Sequence, residues 1–571
     1  MWNIKGIAAS AGIAIGQITH IQEGSYDFCS VVDREQAPKE KERFLAAQQA
    51  AEIELDVLQK RMAVNVGEEQ AEVFAAHKLM INDPSLVDVV LNNIENNFAS
   101  AEAAVEDAVK DIAAMFIALD NEYMRERASD IKDVGKRLVR VLQGVAEQVN
   151  YTGILAAQDL LPSDTASIDL NCVAGFITAL GGKTSHSSIL ARAAGIPAVV
   201  GIGSVLEKLN NGDTVIVDGH NGQILVNPEE TVLEEYRQRM KKEQVRAAAL
   251  AAVGHLPSVT MDGHPIELAC NIGTPNDMEK VIAAGAEGVG LFRTEFLFLD
   301  KTSVPTEEEQ VESYKAVLAA MPKNKIVIRT LDAGGDKQLP FIGGLTEANP
   351  ALGLRAIRLC MVYQDVFKTQ LRALLRASVV GNLHIMFPMI ATVDELVSAK
   401  ALLKEAADEL TREGIPYRTD IAVGIMIEVP AAAVIADVLA EEVDFFSIGT
   451  NDLVQYTMAA DRMNEHVAWL SDYFQPPVIR LIGNVAKAAQ KCGKWVGMCG
   501  EMAGDPLATP LLVGLGLTEL SMNGRAVPVV KHRVRQLTLK QTQEWAEHIL
   551  TLRTGSDIKK KLEEIAEAFE I

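Results

Sequence analysis

The sequence predicts a multidomain α/β protein in which an α-helical bundle interrupts an α/β domain and a (β/α)8 TIM-type barrel follows. Three observations predict this fold class. With 571 residues the chain is too long for a single hydrophobic core. Between about residues 34 and 148, Ala, Glu, Lys, Leu and Gln recur with helical spacing, and strand-like runs flank this stretch. From about residue 258 onward, strand-like runs alternate with helix-like stretches, which is the pattern of a parallel barrel.

The composition excludes several classes of protein. A net charge of −23 argues against a nucleic-acid partner or an anionic membrane surface, since both need a basic protein face. No apolar run approaches the length of a membrane-spanning helix, and the first residues lack the pattern of a secretory signal, so we expect a cytoplasmic protein with no membrane insertion. The six cysteines are scattered without a Cys-x-x-Cys pair, which suggests neither a disulfide framework nor a zinc site.

In the first half of the chain we expect a discontinuous α/β domain with a helical domain inserted in it. Residues 1–20 alternate small and apolar residues in strand fashion, but no hairpin partner follows, so we expect them to pair later in the chain. Short strands return between residues 152 and 227, and a polar helix follows them. The predicted division is an α/β domain (1–20 and 149–228), an inserted helical domain (21–148), a helical linker (229–257) and the barrel (258–571).

The most distinctive stretch is Gly181–Arg192, where a hydrophobic run ends in two glycines and His186 follows among hydroxyl residues. The pattern predicts a strand, a tight turn and the start of a helix, whose free amide groups welcome an anion. A histidine held at one ring nitrogen can offer the other as a nucleophile near neutral pH. We therefore interpret His186 as a residue that accepts a phosphoryl group, with a purely capping histidine as the alternative.

Seven barrel strands can be placed in the second half. A further strand near Gly353–Ile357 is expected but hard to see. The seven are Ile266–Cys270, Gly288–Phe292, Ile326–Ile328, His384–Phe387, Val423–Ile427, Asp444–Ile448 and Trp495–Met498. Polar residues follow these runs, and parallel strands would gather them at the carboxyl end of the barrel. They are Arg293, Arg329, Glu428, Asn451, Asp452, Cys499 and Glu501.

These side chains suit a small anion and a hard cation. Guanidinium groups suit a molecule that carries both phosphate and carboxylate groups, because each can donate two parallel hydrogen bonds to such a group. The candidate arginines are Arg293, Arg329, Arg355, Arg358 and Arg462. Glu428 and Asp452 supply two hard oxygens, which fit Mg²⁺ better than zinc or calcium. Taken singly, an arginine is more often a surface ion pair, Glu428 could pair with a lysine and Asp452 could cap a helix. Their joint placement favours a site.

Several motifs together resemble those of one family. They are GIAASAGIA (6–14), GGKTSHSS (181–188), LFRTEFLF (291–298), EVPAA (428–432), SIGTNDL (447–453) and GMCGE (497–501). The sequence is identified by them as a member of the phosphoenolpyruvate-utilising enzymes, which include Enzyme I of the bacterial sugar phosphotransferase system. The order of the motifs and the length are similar to Enzyme I from end to end. The chain departs from the family pattern at Lys183, where arginine is usual, and at Ala11, where proline is common.

The resemblance implies a role for each site residue. The α/β domain would be a swivelling phosphohistidine domain, with His186 phosphorylated by phosphoenolpyruvate and pyruvate released. Cys499 would be the general acid that protonates the pyruvate enolate, with an inert buried thiol as the alternative. Arg293, Arg329 and Arg462 would contact the phosphoryl group, with Asn451 and its neighbouring amides near the phosphate. Glu428 and Asp452 would hold Mg²⁺.

The resemblance also implies protein partners. Gly67-Glu68-Glu69, followed by Phe74 and His77, is similar to the region of the family that receives the histidine phosphocarrier protein (HPr). The acidic side chains of Glu68 and Glu69 would suit a basic docking face, although a solvated helix face explains either one alone. A homodimer through the barrel domains is implied as well.

Two other functions stay open from the sequence. A dikinase or synthase that makes phosphoenolpyruvate would need a large nucleotide-binding domain before the histidine domain, where this chain has only the helical bundle. A regulatory scaffold that binds phosphoenolpyruvate without turnover would lack His186, Glu428 or Asp452, and all three are present.

Overall fold

The computed structural model describes most of the chain, in two compact units of residues 1–244 and 245–571. No helix within its described ranges is long and apolar enough to cross a membrane. The described residues are 2–21, 28–65, 68–118, 122–145, 151–163, 168–182, 185–299, 301, 303–334, 347–462, 464 and 466–569.

An eight-stranded sheet forms the α/β part of the first unit, with the order β1-β8-β7-β3-β4-β5-β6-β2. Its strands come from both ends of the unit. They are β1 (Trp2–Lys5), β2 (Ile7–Ser10), β3 (Ile13–His20), β4 (Gly153–Ala157), β5 (Val173–Thr178), β6 (Ala198–Val200), β7 (Thr214–Asp218) and β8 (Gln223–Val226).

The expected late pairing of the first 20 residues is confirmed, with three strands in place of one. Strand β1 runs antiparallel to β8, and β2 runs antiparallel to β6. Strand β3 lies between β7, to which it is antiparallel, and β4, to which it is parallel. The two ends of the helical insertion are therefore anchored on neighbouring strands, β3 and β4.

Five helices occupy the described part of the insertion. They are α1 (Ala37–Asn65), α2 (Glu68–Ile81), α3 (Pro84–Asn97), α4 (Ala101–Ala118) and α5 (Glu122–Leu142). Helix α3 begins after Asp83, whose side chain accepts a hydrogen bond from the Ser85 amide at 2.8 Å and caps the helix. His77 on α2 is fully buried, with Nε2 3.5 Å from Asp130 and Nδ1 3.9 Å from Asp133.

Two further helices complete the first unit. Helix α6 (His186–Ala194) follows the two-glycine turn, as the sequence predicts. Helix α7 (Glu230–Val253) contains the boundary between the two units. Its polar composition agrees with the helical stretch expected before the barrel.

The second unit is built on a closed barrel of eight parallel strands. The strands in chain order are β9 (Glu267–Ile272), β10 (Val289–Arg293), β11 (Lys325–Arg329), β12 (Asn382–Phe387), β13 (Ala422–Ile427), β14 (Phe445–Ile448), β15 (Trp495–Met498) and β16 (Glu519–Met522). The last strand closes the barrel because β16 pairs with β9 in parallel, with Ser521 opposite Ala269.

Helices surround this barrel and bury its outer face. They are α8 (Met278–Ala283), α9 (Phe296–Leu299), α10 (Glu307–Ala320), α11 (Ile357–Val362), α12 (Gln364–Ala377), α13 (Val393–Glu413), α14 (Pro430–Val434), α15 (Ala436–Glu442), α16 (Thr450–Met458), α17 (Pro476–Lys491), α18 (Thr509–Leu515), α19 (Val527–Arg535), α20 (Leu539–Ile549) and α21 (Gly555–Glu567).

The prediction of a strand near Gly353–Ile357 is wrong. Those residues form a loop that leads into α11, and the eighth strand is β16. Its four residues, Glu-Leu-Ser-Met, contain only two apolar side chains. Glu519 lies inside the barrel, where it pairs with Lys325. A strand with buried polar residues lacks the hydrophobic run by which the other seven were found.

Candidate active site

The carboxyl ends of the barrel strands surround a cavity of about 510 Å³. This is the end at which barrel enzymes carry their reacting groups. The polar residues predicted from the strand ends line it together, namely Arg293, Arg329, Glu428, Asn451, Asp452, Cys499 and Glu501. Two further arginines that the sequence suggested for an anion, Arg355 and Arg462, line it as well.

Two buried arginines, Arg329 and Arg355, share the carboxylate of Asp332. Arg329 lies 2.9 Å from Asp332 and 2.8 Å from Glu295. Arg355 lies 3.1 Å from Asp332 and 3.1 Å from Asp452. Burial alone would lower the pKa of both guanidinium groups, but the charges of these carboxylates outweigh it and raise the pKa. Both forks therefore keep their charge in fixed orientations, as recognition of an anion requires.

Glu428 is the most enclosed carboxylate of the cavity, with 1% of its surface exposed. Its Oε1 accepts a 2.6 Å hydrogen bond from the Met389 amide. Met389 has a φ of 57°, a strained value for a residue other than glycine, and this conformation belongs to the loop that carries the amide. Burial, followed by the charges of Asp452 and Asp332, raises the pKa of Glu428 to about 8. The raised pKa therefore reflects first the burial of Glu428 and then its position beside two other carboxylates.

Helix α16 brings Asn451 and Asp452 to the cavity in its first turn. The Asp452 carboxylate lies between Arg355 and the half-exposed Arg462, whose Nη1 is 3.9 Å away. The Asn451 side chain accepts a 3.1 Å hydrogen bond from the Glu501 amide. This contact ties the loop after β14 to the loop after β15, so the two loops that border the cavity are held together.

Cys499 follows β15 directly and is 3% exposed. Its amide donates to the Ile448 carbonyl at 3.0 Å, and its Sγ lies 3.8 Å from the same oxygen. Burial raises the pKa of the Cys499 thiol to about 11. The thiol is therefore protonated at neutral pH, so it can donate a proton but is a poor nucleophile.

A second chamber of about 820 Å³ adjoins the cavity on the side of β9 and β16. Arg293, Tyr473, Cys499 and Glu501 line both spaces. The chamber is otherwise lined by side chains such as Asn271 and Asn523. Cys499 thus lies at the border between the two spaces.

Three family models match the chain. The N-terminal domain of the phosphoenolpyruvate (PEP)-utilising enzymes matches residues 5–127, their mobile domain matches residues 149–222, and their PEP-binding domain matches residues 247–539. The chain belongs to the PEP-utilising enzymes.

Individual relatives of this family are similar over nearly the whole chain. The phosphoenolpyruvate-protein phosphotransferases of Bacillus sp. (strain S) and Geobacillus stearothermophilus are each 48% identical over 561 residues, which are 97% of this chain and 96% of each relative. That of Bacillus subtilis (strain 168) is 46% identical over 564 residues, 98% of both chains. A solution structure of an Enzyme I protein matches with 36% identity and a TM-score of 0.37, covering 42% of this chain and 99% of the other.

Members of the PEP-utilising family use a metal ion. The donors at the barrel mouth fit a hard divalent cation that keeps some of its water, because Glu428 and Asp452 offer only carboxylate oxygens. A bound cation would favour the ionised form of Glu428, which burial and the neighbouring carboxylates disfavour. Within the described ranges, the structure has no group of three or more His, Cys, Asp or Glu placed to hold a metal.

The PEP-utilising family motif around His186 lies in the first unit. His186 begins α6 directly after the N-cap residue Ser185. The hydroxyls of Ser185 and Ser188 both donate to the Gly182 carbonyl, at 2.8 and 2.6 Å. Gly181 has a φ of +103°, and a Cβ there would lie 2.9 Å from Ser185 Oγ, so the turn needs glycine. Lys183, Thr184 and the side chain of His186 lie outside the described residues.

One residue predicted to bind the substrate, Arg358, is not brought to the cavity, and the predicted carrier-binding residues belong to the first unit. The Nε of Arg358 lies 3.4 Å from Glu395 on α13. Glu68 and Glu69 begin α2 in the first unit, and their side chains lie outside the described residues.

Sequence reasoning missed three groups that shape the cavity. Asp332 joins the two buried arginines, Glu295 pairs with Arg329, and the Tyr456 hydroxyl lies 3.2 Å from Arg355. Asp332 and Glu295 follow β11 and β10 by two or three residues, so the strand-end rule could have found them. Tyr456 gave no such signal, because it lies nearly two turns into α16, away from the strand end.

Proposed function

We propose that this protein is a phosphoenolpyruvate-protein phosphotransferase. It transfers the phosphoryl group of phosphoenolpyruvate to its own His186 and then to a histidine of HPr, and it releases pyruvate as the first step of the sugar phosphotransferase system. The observation that carries the proposal is the barrel mouth, where Arg329 and Arg355, the carboxylates of Glu428 and Asp452, and the buried thiol of Cys499 line one cavity. Identity of 46–48% over nearly the full length with enzymes of that name supports it.

Substrate binding falls to the arginines. The phosphoryl group would be contacted by Arg293, Arg329 and Arg462, and Arg355 would contribute charge from the same wall. Asp332 and Glu295 hold Arg329 from two sides, so its fork is oriented before the substrate arrives. Asn451 and the amides at the start of α16 would lie near the phosphate.

Glu428 and Asp452 would hold Mg²⁺ in this proposal, and when bound the ion would neutralise charge on substrate oxygens. Asp452 also contacts Arg355 and Arg462. The Asp452 carboxylate has enough lone pairs to accept hydrogen bonds from the arginines and to bind a metal ion. The guanidinium groups of Arg355 and Arg462 would then lie next to the metal site.

The transfer needs positioning and charge neutralisation more than covalent machinery. The bond between phosphorus and the enol oxygen breaks while a bond forms between phosphorus and an imidazole nitrogen of His186. The enolate of pyruvate that remains takes a proton at C3 from the Cys499 thiol. Burial keeps that thiol protonated until the enolate, a strong carbon base, is formed.

The partners follow from the same function. HPr would dock on the helical insertion, with Glu68 and Glu69 facing basic residues of the carrier. The barrel domain would form the homodimer, and the cytoplasm would be the location of the protein.

Labelled phosphoenolpyruvate tests the proposal. We expect the full chain, incubated with Mg²⁺ and ³²P-labelled substrate, to acquire an acid-labile label that moves to added HPr. His186→Ala should abolish the label, and His220→Ala, a control at a half-exposed histidine of the same unit, should retain it. Label that survives in His186→Ala would contradict the proposal. Label that forms only with nucleotide and phosphate would instead indicate a dikinase.

A further inference from the structure

Asn271, at the carboxyl end of β9, contacts the proposed acid Cys499 from a strand that is not its neighbour. Its Nδ2 donates to the Cys499 carbonyl at 2.9 Å, although the two residues are 228 positions apart. Its Oδ1 accepts from the Ser521 hydroxyl of β16 at 2.7 Å. The amide therefore reaches past β16 to the end of β15.

The orientation of this amide is fixed by its two partners. A carbonyl can only accept a hydrogen bond, so the Cys499 oxygen must face the NH₂ group of Asn271. The carbonyl oxygen of Asn271 then faces Ser521, which can donate. Ser521 is fully buried, and it occupies space inside the barrel that Gly290 leaves open, because a Cβ at Gly290 would lie 2.6 Å from Ser521 Oγ.

Both backbone groups of Cys499 are consequently held. Its amide donates to Ile448, and its carbonyl accepts from Asn271. The next residue packs closely against Thr450, because a Cβ at Gly500 would lie 1.8 Å from the Thr450 hydroxyl, so the position requires glycine. Fixing the peptide groups on both sides fixes the Cα–Cβ direction, and with it the side from which the thiol faces the cavity.

We propose that Asn271 is a positioning residue that aims the Cys499 thiol at one face of the enolate, with Ser521 orienting Asn271. In the step it controls, the S–H bond of Cys499 breaks and a C3–H bond forms from the enolate electron pair, which leaves a carbonyl at C2. The thiolate regains a proton from solvent. This inference rests on the proposed function, since it assigns a partner to the general acid of that reaction.

The stereochemistry of protonation tests it. Phosphoenolpyruvate with one tritium in a defined position at C3 is turned over once by the full chain with Mg²⁺ in D₂O. The methyl group of the pyruvate then carries H, D and T, and its configuration reports which face received the deuteron. We expect a single configuration from the wild type and a racemic product from Cys499→Ala, because released enolate takes a deuteron from water on either face.

Asn271→Asp has the same shape but puts an oxygen against the Cys499 carbonyl. We expect racemic pyruvate and a rate of pyruvate formation lowered on the order of 100-fold, the cost of about 1 Å of misplacement. His186 should still be labelled, since phosphoryl transfer precedes protonation. Ser521→Ala removes the hydroxyl that orients the Asn271 side chain but keeps Asn271 itself. It should lower the configurational purity of the pyruvate methyl group less than Asn271→Asp does.

Asn523→Asp is the matched control. It adds the same charge to the same chamber but leaves the contacts of Cys499 unchanged, and an aspartate retains the oxygen that accepts from the Ala526 amide. It should give the wild-type configuration. Pure wild-type configuration from both Asn271→Asp and Ser521→Ala would overturn the inference even if either variant were less stable. Failure of the wild type to label His186 would overturn the proposed function instead.

Discussion

The two ends of the barrel both bury charged side chains, but they use them differently. At the amino end, Lys325 lies 2.8 Å from Glu267 and 2.7 Å from Glu519, and its ammonium group sits 3.6 Å from the centre of the Trp495 ring. That ring stacks on Phe445 at 4.3 Å. At the carboxyl end, the charges of Arg329, Arg355, Glu428 and Asp452 face an open cavity.

The charged side chains at the amino end fill the barrel and stabilise it, whereas those at the carboxyl end face space for a ligand. The amino end is filled by aromatic rings, with His384 5.7 Å from Phe445, so its ions have no room for a further group. The carboxyl end leaves Glu428 with a raised pKa beside a cavity. Substitutions at the amino end should therefore change stability, and those at the carboxyl end should change catalysis.

The largest expected effect lies at the carboxyl end. Cys499→Ala should lower the rate of pyruvate formation by about 100-fold or more, since general acid catalysis contributes roughly 10²- to 10⁴-fold. The free energy of unfolding should change by only about 1 kcal/mol. Single-turnover kinetics and denaturant titration measure the two quantities. Cys360→Ala, which removes another buried thiol of the same unit, is the control, and an equal loss of rate there would mean that packing explains the effect.

Lys325→Met at the amino end should show the opposite behaviour. It leaves Glu267 and Glu519 facing each other without a cation, which should cost about 3–5 kcal/mol of stability. The KM for phosphoenolpyruvate should not change. Lys323→Met, at an exposed lysine two residues earlier, should have little effect on either quantity. If Lys325→Met raised KM while stability held, the division between the two ends would be wrong.

The amino end should also show two opposed pH dependences of stability. Burial, helped by the charge of Lys325, lowers the pKa of His384 to about 4 from an ordinary value of 6.5. The unfolded chain therefore binds the proton more readily, and stability is lost as the pH falls from 6.5 towards 4. His384→Phe should gain stability relative to the wild type over that range, which denaturant titrations at several pH values can measure.

Glu267 works in the other direction. Burial and the charge of Glu519 raise the pKa of Glu267 to about 7 from 4.5, so its contribution is present below 4.5 and lost as the pH rises through 7. Glu267→Gln should therefore gain stability relative to the wild type as the pH rises from 4.5 to 7. A constant difference across this range would show that Glu267 is already ionised in the folded protein.

The smallest effect is expected from Arg358→Ala. The sequence suggested that this residue binds substrate, but its side chain pairs with Glu395 outside the cavity. Loss of a half-exposed ion pair should cost about 1 kcal/mol of stability or less and raise KM by no more than roughly twofold. Arg355→Ala should impair activity far more. Equal effects on KM would place Arg358 in the site after all.

The sequence could reveal the strand ends but not the contacts between them. Arg293, Glu428 and Cys499 were found because each polar residue terminates a hydrophobic run, and parallel strands bring such ends together. The eighth strand escaped because Glu519 and Ser521 point into the barrel. The pairing of Arg355 with Asp452 spans 97 residues, and no local pattern encodes it. The prediction for Arg358 was wrong because the direction of its side chain depends on how α11 packs against α13, where Arg358 meets Glu395. The sequence does not show this packing.

The pairing of the first strands also has a consequence for synthesis on the ribosome. Strand β1 pairs with β8 and strand β3 pairs with β7, and these partner strands are synthesised about 200 residues later. The helices described in the insertion contact one another locally and are synthesised in between, so they can fold while the nascent sheet is still open. Until residue 226 has left the ribosome, the amino terminus is an unpaired edge that a chaperone or another nascent chain can bind.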